Sequence, residues 1–467
     1  MPSSFNLNAL NLKVSPLAQD YTVIRCHNLE RDMIGAWKKR PGYTTYLGTT
    51  PNGSAVHTLM NFTQNNGTTF WNYVGAGAEL YYSTQGTGDL TICGNGTLTA
   101  GSPIYSGVSL TTGSNTLMIG DGVVATKHSL NGTSFTNTTS APIARGFYDY
   151  QGRMYAIGTA QSLFWSNVGT ATDWVNDSSS IDIPGPGRLH TLMKINDRLI
   201  PTKNYGNMYR WDGFNLVDMA TNLGATSPQS IGTTEGFAFW LNRLGEFTYG
   251  GDKPELISNA VERIIYNDAG EGIRGTTFDN AQGIVYKYDY FLSIGTVTDD
   301  LTDETISNAV LAYDFQLNEY RTYSFNDRPT AWNSYKDING DQQLVFAAGS
   351  QCYTYGGTNT TDNGAPIESV LEFVIHGGAP AKDKEWKYCT FIFNPGCQAK
   401  IQVAASNSFT KGKLNWVDLG AAIDGVVEYK PGGLMSKLLF VKIYEASRNA
   451  RFHFYGFDYE AEVITRN

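Results

Sequence analysis

The sequence predicts an all-β protein: a β-propeller-like body of six or seven blades with a C-terminal β-sandwich or barrel domain. Three observations carry this. A turn–strand–turn–strand phrase recurs along the chain. Its spacing is that of radial β arrays, about 40 residues per unit. The phrase then stops near residue 365, while strand-length apolar runs continue to the end.

The phrase is clearest at 152–166, GRMYAIGTAQSLFWS. A polar turn at Gly152 precedes an apolar run through Met154, Tyr155 and Ile157. A second turn at Gly158 leads to a run ending at Leu163 and Phe164. Aligned on opening turn and closing apolar residue, the copies are Gly67/Tyr81, Gly113/Val124, Gly152/Phe164, Asp197/Tyr209, Gly236/Phe247, Asp289/Tyr313 and Gly340/Tyr353. The internal gaps are 14, 11, 12, 12, 11, 24 and 13 residues, so five of the seven agree to within two residues. The long sixth gap contains residues 296–308, TVTDDLTDETISN, which reads as an insertion.

Composition agrees with strands rather than helices. Of 467 residues, 50 are Gly and 28 are Tyr, aromatics make up 13% and charged residues only 16%. No run of ~20 apolar residues suggests a membrane span. The start, MPSSFNLNALNLKV, lacks a charged region followed by an apolar core, so a soluble chain made in a cytoplasm is expected. Cys26, Cys93, Cys352, Cys389 and Cys397 are odd in number and scattered, as expected of reduced thiols. Triplets such as Asn66-Gly-Thr and Asn131-Gly-Thr read as turn chemistry.

The net charge of −9 is unevenly placed: +3 over residues 1–50, +2 over 398–467 and −14 between them. An acidic body opposes tight binding to a nucleic-acid backbone and suits a surface that DNA passes without sticking.

In chain order, residues 1–50 form an N-terminal arm with a lead-in strand, 51–365 the propeller, and 366–467 the sandwich or barrel. In the arm, Arg40-Pro41-Gly42 predicts a turn, with Pro fixing φ and Gly tolerating positive φ. Gly35 ends a short helix or makes a turn, and Tyr43 to Leu47 reads as a strand. Trp37, Lys38, Lys39, Arg40 and Tyr43 are candidates for an assembly contact, the cations meeting a neighbour's acidic body; capping or completing the array is the other reading of this stretch. Trp71, Tyr73, Trp165, Tyr209, Trp211, Phe239 and Trp240 are expected to fill the spaces between blades. Asp299, Asp300, Asp303 and Glu304 lack the spacing and glycine of a calcium loop and read as a projecting acidic loop.

No nucleotide-binding, zinc-protease or Cys-x-x-Cys motif occurs, and His27, His57, His128, His190, His376 and His453 are isolated. The turn Ser166-Asn-Val-Gly169-Thr-Ala-Thr-Asp173-Trp174 is a loose relative of the Ser-x-Asp-x-Gly-x-x-x-Trp turn of sialidase-type propellers, where its role is structural. No catalytic residue, metal or cofactor is expected.

The phrase N-x₆-G-x-W-K-K-R-P-G-Y at 28–43 resembles the opening of tail hub, nozzle or "stabilisation" proteins of short-tailed bacteriophages. The stretch from Leu163 to Trp174, and the ending Leu439-Phe-Val-Lys-Ile-Tyr through Gly456-Phe-Asp-Tyr-Glu, are similar to phrases of such proteins. The resemblance implies a non-enzymatic virion protein, assembled in the host cytoplasm, with a propeller body. It implies a ring below the portal or adaptor, hexameric in the family, that carries double-stranded DNA through its lumen and anchors fibres, spikes or a plug. The alternative from the residues is a tail-associated propeller that binds or hydrolyses glycans.

Overall fold

The computed structural model describes residues 21–464 apart from 33–34, 65–69, 85–87, 112–113, 159–160, 177, 205, 266–279, 300–303, 338, 378, 380, 409–413, 423, 433 and 446–451. Seven four-stranded antiparallel blades form the body, six of them separate sheets and the sixth in chain order the first four strands of a nine-stranded sheet. Blade one starts at Val56–Thr63, blade two at Tyr105–Thr111, blade three at Ala144–Tyr150 and blade four at Leu189–Ile195. Blades five, six and seven start at Gly232–Thr233, Gln282–Tyr286 and Ala331–Lys336. These first strands lie side by side around the axis, blade seven against blade one. The fourth strand of blade seven is Tyr43–Leu47, from the other end of the chain, which pairs antiparallel with Gln351–Tyr355. The ring is closed by that strand, with no covalent bond required.

The recurring phrase has a physical cause. It spans the first turn, the second strand and the entry to the third. Second strands such as Arg153–Gly158 and Ala238–Asn242 are buried on both faces, because each lies between two neighbouring blades. They therefore read as continuous apolar runs instead of alternating ones. Each of the seven gaps between blades holds its own apolar cluster among the described residues. Tyr73, Tyr209, Trp211, Phe239 and Trp240 are buried there, as expected, while Trp71 and Trp165 are half-buried. The turn at Gln151-Gly152 has φ of 50° and 70°, which only a glycine-tolerant position accepts readily. The opening turns at Gly67 and Gly113 lie outside the described residues.

The turn after Ser166 is structural. Asp173 accepts from the Val175 and Asn176 amides at 3.0 and 3.1 Å, and Trp174 donates to Ala171 O at 2.9 Å. Trp174 fills the space between blades two and three.

The insertion in the sixth unit lengthens a hairpin. Asp289–Asp299 and Glu304–Asp314 are eleven residues each and stay paired to their ends, Asp299 opposite Glu304. Val297 and Ile306 are buried against Val261, Ile264 and Ile265 of the preceding connection, so the added length has its own small core.

The arm does not stand apart as a unit of 1–50. Its described part is divided between the two bodies. Tyr21–His27 lies between Glu319–Ser324 of blade six and Ser369–Ile375, giving one nine-stranded sheet that runs from propeller into sandwich. Leu29–Arg31 and Trp37–Lys39, joined by a turn with Gly35 at φ 85°, enter the facing six-stranded sheet beside His453–Val463. The sandwich is thus built from both ends of the chain. Its core includes Val23, Leu29 and Trp37 with Trp386, Phe391, Ile401, Val441 and Phe454. All five cysteines are buried and free, and burial pushes the Cys26 and Cys389 thiols up to about 12.

Glu246 lies between blades five and six, fully buried. Tyr320 donates to its Oε2 at 2.8 Å, and Oε1 has no partner among the described residues. Burial pushes this carboxyl up to about 8, against the Tyr320 hydrogen bond. Its native value lies above the ordinary unfolded one. The stability tied to it is therefore complete below the unfolded value and is lost as pH rises toward about 8. Thermal unfolding from pH 5 to pH 8.5 should show a falling midpoint in the parent protein and a flatter profile in Glu246→Gln. Parallel profiles would show that Glu246 does not control this dependence.

Candidate functional site at the propeller–sandwich joint

Arg40 sits where the two bodies meet and is 1% exposed. Its Nη1 and Nη2 donate to Asp362 Oδ1 and Oδ2 at 2.9 and 2.6 Å. Nε donates to Asn28 Oδ1 at 2.9 Å, Nη1 to Pro41 O at 3.0 Å, and Nη2 to Ser324 O at 2.5 Å. The guanidinium lies 4.6 Å over the Phe325 ring. Its fork geometry thus ties together the arm, the last strand of blade six and the loop after blade seven. Burial disfavours its charge, and the facing Asp362 carboxylate more than restores it.

Asn28 supports this arrangement. Its Oδ1 also accepts from Ser324 N at 2.9 Å, and its Nδ2 donates to Glu368 O at 2.7 Å. His27 bonds Ser324 Oγ at 3.0 Å; burial, then Arg25 and Arg40, lower it to about 3, so it stays neutral.

Arg40-Pro41-Gly42 departs from the turn expected of it. Gly42 lacks positive φ. Its amide donates to Asn359 O and the Tyr43 amide to Thr361 O, at 2.8 and 3.0 Å. A Cβ at Gly42 would lie 2.0 Å from Thr361 O, so glycine is required by close backbone approach.

The same joint opens into a cleft of about 690 Å3. Its lining includes Glu30, Lys38, Lys287, Asp289, Asn359 and His453. Lys38 pairs with Glu30 at 3.0 Å and Lys39 with Glu445. His453 bonds Asp32 at 2.8 Å. Arg321 links Asp289 and Asp314, at 2.5 and 3.0 Å. Burial pushes Asp289 up to about 6, against the pull of Arg321. Lys287 makes no salt bridge among the described residues; its ammonium lies 5.0 Å from the Tyr286 ring centre. The cleft carboxylates Glu30 and Asp289 are each matched to a cation of their own body, while Arg31 and Glu319, 3.3 Å apart, pair across the two bodies.

The expected contact group is therefore corrected. Trp37, Arg40 and Tyr43 are buried, and Lys39 is only 8% exposed in its side chain. Arg40 and Lys39 meet carboxylates of their own chain; among the cations of this group only Lys38, 42% exposed, faces out. The reason is distance along the chain. Asp362 and Glu445 lie 322 and 406 residues away, and no local pattern announces them. Lys287, Asp289 and His453 were missed as cleft residues for the same reason. Of the acidic group, Asp299 and Glu304 close the long hairpin, and Asp300 and Asp303 lie outside the described residues. No group of three or more potential metal-binding side chains occurs among the described residues.

No protein-family model matches the chain, and no curated protein matches it in sequence. Among solved structures it is similar to the extracellular domain of BT4673 from B. thetaiotaomicron, with 10% identity and a TM-score of 0.45. That likeness covers 87% of this chain, which spans 57% of the other's length. YCF48 bound to D1 peptide gives 10% identity and a TM-score of 0.40 over 68% of this chain and 98% of that one. BBS1N in complex with ARL6DN gives 10% and 0.44 over 70% and 98%.

Removing one member of a buried pair strands the other. Asp362→Asn or Arg40→Met should each lower unfolding free energy by about 3–5 kcal/mol in denaturant titrations. Lys38→Ala should change it by less than about 0.5 kcal/mol. Equal effects of the three would show that Arg40 does not hold the joint.

Proposed function

We propose that this protein is a mechanical, non-enzymatic subunit of the tail ring of a short-tailed bacteriophage. In this reading it is a hub or nozzle component below the portal or adaptor. Copies extend the DNA channel and anchor fibres, spikes or a plug, and DNA passes without specific binding. The observation that carries the reading is the continuity of propeller and sandwich. Blade six runs into the sandwich as one sheet, and Arg40 clamps the crossing point. Two bodies joined in this way transmit load as one rigid wedge, whereas bodies on a flexible linker would move independently. A wedge with a fixed angle between its bodies can tile a closed ring. The phrases at 28–43, 163–174 and 439–460 support the reading independently. No helix among the described residues is long and apolar enough to cross a membrane.

Negative-stain images of the purified protein, alone and with portal and adaptor proteins of a short-tailed phage, test this directly. The expected result is a closed ring with a central hole and no release of sugars from host polysaccharide. A protein that stays monomeric in both preparations, or that depolymerises the polysaccharide, would overturn it.

A further inference from the structure

A second cavity lies on the propeller axis. It holds about 440 Å3 and is lined by the first strands of blades two, three and four, with Pro228 and Ile231. At one mouth, side chains from these three blades come together. Tyr105 opens the first strand of blade two, Arg145 is the second residue of that of blade three, and Arg188 directly precedes that of blade four. Arg145 sits in a bulge: Arg145 and Gly146 fall between the pairs Ala144–Gly158 and Phe147–Ala156. A bulge re-aims a side chain, and here Arg145 Nη2 crosses to blade four, donating to Leu189 O at 2.9 Å.

The chain does not balance the charge gathered there. Neither Arg145 nor Arg188 makes a salt bridge among the described residues. Arg145 uses one of its five N–H groups, and its Nε is buried without a partner. Burial, then Arg188, lower the Arg145 guanidinium from its ordinary value, with Tyr105 opposing. Burial raises the Tyr105 hydroxyl and both arginines pull it back; it has no hydrogen-bond partner among the described residues. The carboxylate in the lining is that of Asp149, four residues along the strand from Arg145, about 13 Å away. There Lys194 Nζ donates to Asp149 O at 2.9 Å.

Like charges held together cost free energy, and an anion between them reverses the sign. A phosphoryl group carries about −1.5 to −2 at pH 7 and offers three acceptor oxygens, which suits two guanidinium forks better than one carboxylate does. Behind the mouth, Phe147, Leu192 and Ile231 give the cavity an apolar lining. Its volume falls in the range of small-molecule sites, about 300–1,000 Å3, and exceeds what a bare phosphate fills.

We infer that Arg145, Arg188 and Tyr105 bind the phosphoryl group of a small organic phosphate, whose organic part enters the axial cavity. This site does not depend on the ring reading, and its test involves no assembly.

Titration calorimetry and thermal unfolding of the full chain test it with ribose 5-phosphate, glycerol 3-phosphate, inorganic phosphate and, at matched ionic strength, acetate. One equivalent of an organic phosphate should bind more tightly than inorganic phosphate, and acetate should not bind. Arg188→Gln should weaken the organic phosphate by about tenfold. Without ligand it should leave the thermal midpoint unchanged or raised, because Arg188 is exposed and its loss removes a repulsion. Inorganic phosphate binding as tightly as both esters would place a free anion at the arginines and overturn the organic ligand. No binding of any phosphate, equal binding of acetate, or binding that Arg188→Gln and Arg145→Gln leave unchanged would overturn the site.

Discussion

A guanidinium buried between two β bodies must find an acceptor for every N–H, because each unmet donor costs free energy in a low-dielectric interior. Arg40 meets this demand with four residues on three stretches: Asn28 and Pro41, Ser324, and Asp362. Those stretches belong to the arm, to blade six and to the loop after blade seven. The charge therefore cannot be satisfied until propeller and sandwich are both in place. The strand that closes the ring, Tyr43–Leu47, begins three residues later, so the same constraint fixes where closure begins.

Closure and docking are coupled through this short length of chain. Gly42 lies against Thr361 with no room for a side chain, and Asn363 N donates to Tyr43 O at 2.7 Å. Tyr43 itself packs against Phe325, Phe346 and Tyr353 between blades six and seven. One segment thus holds the crossing of two bodies and the seam of a ring. The mechanical reading depends on this shared segment.

The secondary ion pairs extend the same logic outward. Arg31–Glu319 and Lys39–Glu445 cross between chain segments distant in sequence, while Arg321 with Asp289 and Asp314 ties neighbouring strands within blade six. Their partners are partly or fully removed from water, so their value lies in specifying one arrangement more than in adding net stability.

The repeating sheets and the change of character near residue 365 were legible from sequence because their causes are local. Burial of a second strand on both faces imposes an apolar run, and a tight turn imposes Gly or Asn, wherever the unit recurs. The chain's own pattern also marked 28–43 as special. Its chemistry was misassigned because an exposed cationic run and a buried clamp look alike before their partners are known. Lys38-Lys39-Arg40 contains one residue of each kind and one between. Pairing across 322 or 406 residues, the division of the arm between two bodies and the fusion of blade six with the sandwich were decided only in three dimensions. Strand edges and buried charges select partners by geometry, and that geometry exists only once the ring has closed.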